Sequence, residues 1–407
     1  MTYSATAAWI RERQWFGWAV GVVVWIAWGV SLAIGMTKTG RIVDAEGTVI
    51  GVDHMAFYSA ARLVRDHQSA KMYDYDFLGT YQGTLLGWDW ETLEAYRNPP
   101  FYALLYLPTA GLSFLASFLI WTAVGFGLLV LSILWLRPAN PTRAVLWALT
   151  FYPVFAAVSF GQNTLLSLAV FAAVYRLMEE RRPFAAGLVA GLLWFKPQLL
   201  IGLFVWWACA PWRFRWCWVG VVVAGAVLAA VSWLAVPEAS EAFVRTLRTN
   251  VGFGGFNEWN IHNPKAFFKL LWNEPLFYWP LAVLCSLAGI AVVWWLARRT
   301  GAPVAVMFPA AVFLSLWASP HALIYEWALL VPAAVVLWER FPERRNAWLC
   351  LFALAWAVLA FSTVLAKVQI DAKLSVVVQA SIPVLGVVGW LAARELAATG
   401  RPVVDAS

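Results

Sequence analysis

Four short polar stretches interrupt a chain that is otherwise almost continuously apolar. The first is GVDHMAFYSAARLVRDHQSAKMYDYD, Gly51 to Asp76, which carries Asp53 and His54, with Tyr58 and Arg62 further along. The second is the tripeptide Gly161-Gln162-Asn163. The third is Lys196, alone in GLLWFKPQLLIGLF, and the fourth is SPHALIYEWALL, with His321 and Glu326. Carboxylates, imidazoles, a lysine and amides are the groups that take up protons and hold developing anions.

Each residue also has a plain structural reading. Asp53 falls at the start of a helical pattern, where a carboxylate caps free N–H groups and meets the helix dipole; on the residue alone, capping is favoured. Ala56, Phe57, Ala60, Leu63 and Val64 then form an apolar face, which predicts an amphipathic helix lying on the membrane surface. Lys196 at that depth needs a partner or a water-filled cavity, and snorkelling to the outer interface is an equal reading. Glu326 reads structurally as a satisfied contact to an arginine or to backbone. Asn98-Pro99-Pro100-Phe101 stops the loop's last helix and fixes how the next segment enters the membrane.

The elements that must position these residues follow from composition. Of 407 residues, 62% are hydrophobic and 13% charged, and mean hydropathy is +0.70. Soluble domains run at about 45–50% apolar and about 25% charged, so most of this surface faces lipid. Twenty-eight tryptophans suit the water–lipid interface. Apolar runs near 15–35, 101–136, 144–160, 163–178, 184–196, 198–210, 216–236, 276–297, 303–319, 322–338, 346–362 and 375–393 predict about twelve spans, with about fourteen as the alternative. Several are short for about 30 Å of hydrocarbon, which predicts broken helices around a cavity. The run 101–136 is one span plus a short re-entrant piece, or three short spans. The first run is an uncleaved span rather than a signal peptide.

Arginine supplies the orientation. Arg11 and Arg13, then Arg137 and Arg143, Arg176, Arg181 and Arg182, Arg213 and Arg215, Arg298 and Arg299, Arg340, Arg344 and Arg345, and Arg394 and Arg401 mark alternate boundaries. If these are cytoplasmic, both termini are inside. Two long loops, 36–98 and 237–275, then face outward with the polar stretches, within a single membrane domain spanning 1–407. The net charge of +7 is this loop bias and not a nucleic-acid surface. Cys209, Cys217, Cys285 and Cys350 lack metal spacing and read as structural thiols.

The ordered set D-H-x-x-F-Y-x-A-A, N-P-P-F, G-Q-N, F-K-P-Q and S-P-H, over roughly residues 15–340, resembles glycosyltransferase family 87, mannosyltransferase-like membrane enzymes of the GT-C superfamily. The resemblance implies an all-α polytopic bundle with its active site at the extracytoplasmic face of a bacterial inner membrane. It implies a polyprenyl-phosphate sugar, mannose by analogy, as donor and a glycolipid or envelope glycan as acceptor. By the same resemblance Asp53 is the general base. His321 and Lys196 lie near the donor phosphate, Gln162 and Asn163 line the site, and Arg62, His54, Tyr58 and Glu326 join the substrate-binding set. Asp44, Asp66, Asp74 and Asp76 compete for the role of base. One carboxylate opposite the leaving group implies inversion.

No cofactor is expected. Asp74-Tyr75-Asp76 is the one D-x-D pair where Mg2+ or Mn2+ could bind, and it reads as a solvated loop pair. The rival readings are a transporter or flippase of lipid-linked sugars, which predicts inverted repeats and midplane charges, a ligase or acyltransferase acting on lipid-linked sugars, and a membrane scaffold.

Overall fold

A computed structural model describes residues 3–90, 92–249, 258–374 and 376–399. Among these residues the chain is helical throughout, with two isolated β-bridges, Val43–Val49 and Ile261–Leu323, and no strand. It is an all-α polytopic membrane protein. Eleven of the twelve apolar runs are helices or broken helices, and the described part of the last, 376–393, is helical from Ser381. Six are long and apolar enough to cross a bilayer alone: Gln14–Thr39, Phe114–Leu136, Arg215–Ala235, Pro275–Thr300, Pro342–Asp371 and Ser381–Thr399. At 1.5 Å per residue a helix of 26 residues reaches about 39 Å. A seventh crossing results if Pro141–Thr150 and Tyr152–Ser159, bent by 69° at Phe151, count as one.

The ambiguous run 101–136 contains one membrane-length helix. The short pieces Pro100–Leu104 and Leu107–Thr109 precede it, and Ser113 caps it by accepting from the Ala116 N–H. The remaining apolar elements, among them Thr164–Glu179, Pro183–Phe195, Pro197–Ala208 and Val304–Ala318, are too short to cross alone. Thr164–Glu179 lies inside the bundle, buried along most of its length, and the others are packed in it along one side at least. An enclosed helix need not match the hydrocarbon thickness, because protein rather than lipid surrounds its ends. The long helices carry the lipid face, with Val22, Val23, Ile26, Leu131 and Val222 more than half exposed.

The basic residues that mark alternate span boundaries meet at one end of the bundle. Arg11 donates to Asn346, Arg143 to Gln14, Arg213 to the Gly301 carbonyl, Arg340 to Glu179 and Arg344 to Glu395. Segments far apart in sequence therefore end at one level, as the arginine pattern requires.

The two long loops meet each other at the opposite end. The first folds into Val52–Arg65, Ser69–Tyr73 and Tyr75–Leu86, and the second carries Pro237–Thr249 and Pro264–Leu271. Ser69 donates to Glu238 at 3.4 Å, and the Tyr73 and Phe243 rings lie 5.5 Å apart. One expectation is corrected here. The apolar face of Val52–Arg65 meets protein, since nine of its fourteen residues are buried, on both the apolar and the polar sides of the pattern. The helix is wrapped by Tyr75–Leu86, by the segment leading to Phe101 and by Phe114–Leu136.

Close approach of backbones fixes the short helices near Lys196. Pro183–Gly191 crosses Arg215–Ala235 at Gly187 and Gly220. A Cβ on Gly187 would overlap the Cys217 carbonyl, and one on Gly220 would overlap the Phe184 carbonyl. Where lipid is as apolar as the side chains, such small-residue contact is what holds helices together. Gly187→Val should therefore lower thermal stability in detergent by about 1–3 kcal/mol through overpacking. Gly29→Ala, which meets nothing within 4 Å, should leave the melting temperature unchanged in the same assay.

Candidate active site

The site begins with two glycines. Gly51 (φ 61°) ends the approach to Val52–Arg65, and Gly161 (φ 71°) makes the turn before Gln162. Both backbones are left-handed, which glycine alone adopts without cost. A side chain at Gly161 would strike the His54 Cβ and the Gly51 Cα. With no side chain at either position the two segments dock. The Gly51 N–H donates to the Ser159 carbonyl at 3.2 Å and the Asp53 N–H to the Phe160 carbonyl at 2.9 Å. The docking places Gln162 over Asp53 across 109 positions of sequence, and its Nε2 donates to Asp53 Oδ2 at 2.8 Å.

Capping does not occupy Asp53. Gly51 is the N-cap residue, and no side chain caps this helix. Three of the four competing acids are engaged locally. Asp44 accepts from the Glu46 and Thr48 N–H groups, Asp66 pairs with Arg62 and Tyr81, and Asp74 caps Tyr75–Leu86 and pairs with Lys71.

Lys196 comes from the break between two short 3-10 turns, Leu192–Phe195 and Pro197–Leu200. Pro197 disfavours helical backbone at the residue before it, and Lys196 sits at φ −138°, ψ 68°. The break is braced on both sides. Asn98 of the N-P-P-F motif donates to the Phe195 carbonyl at 2.9 Å, and Ser315 donates to the Leu199 carbonyl at 2.7 Å. The lysine does not snorkel, as its side chain is only 12% exposed. Its Nζ donates to Glu326 Oε1 at 2.5 Å and to Gln162 Oε1 at 3.2 Å, and it lies 5.6 Å from the Tyr325 ring centroid. Glu326, on the turn Ile324–Leu329, thus meets a lysine rather than the arginine or backbone partner of its structural reading. Four side chains from four distant segments form one run: Asp53, Gln162, Lys196, Glu326.

Two residues that the sequence reading passed over join this run. Arg97 stands immediately before Asn98-Pro99-Pro100 and Glu94 three residues before Arg97, and Gln82 holds Glu94 by both backbone groups, at 2.8 and 3.1 Å. Burial raises the Asp53 carboxyl to about 6; Gln162, Lys196 and Arg97 pull it down, and Glu326 pushes it up. Burial, then the charge of Asp53, raises Glu94 to about 8 against the pull of Arg97. Burial lowers the Arg97 guanidinium, while Tyr75, Glu94, Tyr325 and Asp53 favour its charge. The signal for both residues was their position beside a motif already singled out.

The other expected residues are placed elsewhere. His54 points away from Asp53; its Nε2 is 2.9 Å from Ser117 Oγ among Tyr58, Tyr106, Phe114 and Phe118, and burial lowers it to about 3. The Tyr58 hydroxyl donates to the Leu112 carbonyl, and Arg62 donates to the Ala110 carbonyl and pairs with Asp66. Tyr58 and Arg62 staple the helix to the segment 105–112 and His54 to Phe114–Leu136, on sides of the helix other than that of Asp53. His321 is half-buried within electrostatic reach of Lys265, Glu258 and Arg97, and burial lowers it first. Asn163 is buried beside Gln162.

A family model described as Glycosyltransferase family 87 matches residues 96–320, more than half of the chain. The chain belongs to glycosyltransferase family 87. It is a membrane glycosyltransferase of GT-C type. No curated protein matches it, and no solved structure does. The matched span is narrower than the motif resemblance over 15–340. It contains Arg97, Gln162, Asn163 and Lys196, while Asp53, Glu94, His321 and Glu326 lie outside it and stand on geometry alone.

The two raised carboxyls have a consequence for stability. Asp53 and Glu94 hold protons in the folded glycosyltransferase that an unfolded chain, with carboxyls near 4, has already lost. Their contribution is present below about pH 4 and is lost as pH rises through about 6 and about 8. Asp53→Asn and Glu94→Gln should therefore raise the melting temperature at pH 8.5 relative to wild type, and not at pH 4. A gain of equal size at both pH values would contradict the assignment.

Proposed function

We propose that this glycosyltransferase moves a hexose, mannose first among candidates, from a polyprenyl-phosphate donor to a lipid-linked or envelope-glycan acceptor. Transfer takes place at the extracytoplasmic face of a bacterial inner membrane, with inversion and with Asp53 as general base. The observation that carries this reading is the Asp53–Gln162–Lys196 run, which sets a carboxylate with its carboxyl at about 6 one amide away from a buried cation. A base works best when its pKa lies near the working pH.

The chemistry runs as one displacement. The acceptor hydroxyl gives its proton to the Asp53 carboxylate as its oxygen forms the new bond to the anomeric carbon. The anomeric carbon–oxygen bond to phosphate breaks, and its electron pair leaves on the polyprenyl phosphate. Lys196 and Arg97 face the charge that grows there. A single carboxylate on the side opposite the leaving group gives inversion.

An apolar cleft supports a lipid-borne donor. It runs between Phe114–Leu136 and Thr164–Glu179, is lined by Tyr106, Phe118, Trp121 and Leu165, and reaches Gln162 and Asn163. A second cleft continues along the same pair of helices past Leu131, Trp135 and Ala169, and Leu128 belongs to both. The bridging amide thus lies where the apolar lining meets the charged run. The gathering of charges at one end, opposite the arginine-rich end, also fits surface transfer better than transport through the midplane.

Two outcomes test the reading. In sealed vesicles of known orientation, supplied from the outer side with radiolabelled polyprenyl-phosphate sugars, Asp53→Asn should lose about 10²–10⁴-fold in transfer while inserting normally. Wild-type transfer by purified Asp53→Asn would sink the assignment of the base. Leu128→Trp, which fills the junction of the two clefts, should raise KM about tenfold for a long-chain donor and leave a short-chain donor unaffected.

A further inference from the structure

Lys196 has two carboxylates within one side chain's length, and it touches only one of them. Its Nζ is bonded to Glu326 Oε1, while a single amide separates it from Asp53. The polarity of that amide follows from its neighbours. The NH2 end of Gln162 must face the carboxylate, an acceptor, and its carbonyl end must face the ammonium, a donor. Gln162 therefore works as a spacer, passing a weakened pull from the cation to the acid.

We infer that Glu326 is a positioning residue whose task is to hold Lys196 off Asp53, leaving the Asp53 carboxylate basic enough to take a proton. The inference rests on the reading of Asp53 as the base. A direct lysine–aspartate contact would be a charge-assisted bond, the strong kind, and would make the acid a poor base. Glu326 cannot replace Asp53 as base, because it is 3% exposed and is engaged by the lysine.

The anchorage of Glu326 fits this task. The turn Ile324–Leu329 is held from behind by the second outer loop. Trp327 Nε1 donates to the His262 carbonyl at 3.0 Å, the His262 N–H donates to the Ala322 carbonyl at 2.7 Å, and Ile261 bridges to Leu323. His262 itself is fully buried, within 2.7 Å of Ser381 Oγ and 3.0 Å of Thr363 Oγ1 on the last two long helices. Glu326 is thereby anchored by the second long loop and the last two long helices, whereas the Asp53 N–H is held by the Phe160 carbonyl.

The other charged and titratable groups facing Asp53 are Arg97 and Glu94, from the segment before Asn98, and Tyr325 beside Glu326. His54 on its own helix is turned to Ser117. Glu94 and Arg97 come from one segment, and Lys196 is the cation that Glu326 contacts directly.

The test is the acid limb of kcat/KM against pH, with the limb and not the plateau as readout, because Lys196 also faces the leaving phosphate. Glu326→Gln should move the limb to lower pH by at least about one unit, the effect of bringing an opposite charge into contact. Glu326→Gln combined with Lys196→Met, which replaces the buried pair by neutral groups of similar size and keeps the fold, should return the limb to wild type or above. Glu326→Asp keeps the charge and shortens its reach, and should move the limb in the same direction by less; it decides the matter if Glu326→Gln does not fold. A lowered plateau with an unmoved limb in these variants overturns the inference. Wild-type transfer by Asp53→Asn overturns instead the reading beneath it, so the two failures are distinct.

Discussion

Removing charge from water is the constraint around which the end of this molecule that carries the charged run is arranged. Asp53, Glu94, Arg97, Lys196 and Glu326 come together at the end of an apolar bundle, where the cost of each ion falls only if it is met by another charge or by a hydrogen bond. The compensation is unequal. Lys196 and Glu326 meet directly, whereas Asp53 receives an amide N–H and feels its cations at one remove. That inequality is chemically useful. A carboxylate fully compensated by a contacting lysine would be stable and inert; one compensated through glutamine keeps its carboxyl near 6. In the proposed reading, the basicity of Asp53 comes from burial that its neighbours offset only in part.

Such an arrangement needs side chains to leave their helices at defined points, and the backbone supplies these by breaking. Lys196 stands before Pro197, Arg97 before Asn98-Pro99-Pro100, and Gln162 after a left-handed Gly161. Each break frees backbone groups that lipid could not satisfy. Here other segments satisfy them, with Asn98 on the Phe195 carbonyl, Ser315 on the Leu199 carbonyl and Ser232 taking the Phe101 N–H. Broken helices and the active end thus require each other. The breaks place the functional groups, and only an interior position makes the breaks affordable. The long uninterrupted helices stay on the lipid face, where no such partners exist.

The limits of the sequence follow from the same physics. Apolar runs and arginines were readable because lipid and membrane potential act on single segments, and every run carries a helix. Lys196 was conspicuous because an ion in an apolar run has no local explanation, and its need for a partner was predictable although the identity of Glu326 was not. The helix Val52–Arg65 misled for the opposite reason. Its periodicity suggested one wet face, yet protein covers nearly all of it, and period alone cannot distinguish a polar face in water from one bonded to neighbouring backbone, as Tyr58 and Arg62 are. His54 adjoins Asp53 in sequence but is about a hundred degrees round the helix, toward Ser117. Glu94 and Arg97 escaped notice because acids and arginines in a long outer loop are ordinary until folding removes their water.

The distribution of charge also separates surface chemistry from transport. A transporter must expose its ions to the two sides in turn, which calls for a site near the midplane between movable halves. In this chain the charged run belongs to the end where the two long loops dock, and Glu326 is tied through His262 to the last two long helices. The opposite end is joined across distant segments by Arg340 with Glu179 and Arg344 with Glu395. A phosphate carried on a lipid lies at headgroup level, where helices end, with its tail beside the hydrocarbon. A site that sets its cation at the ends of broken helices and opens along an apolar cleft suits the donor proposed above, whose reacting carbon would lie between its phosphate and the proposed base.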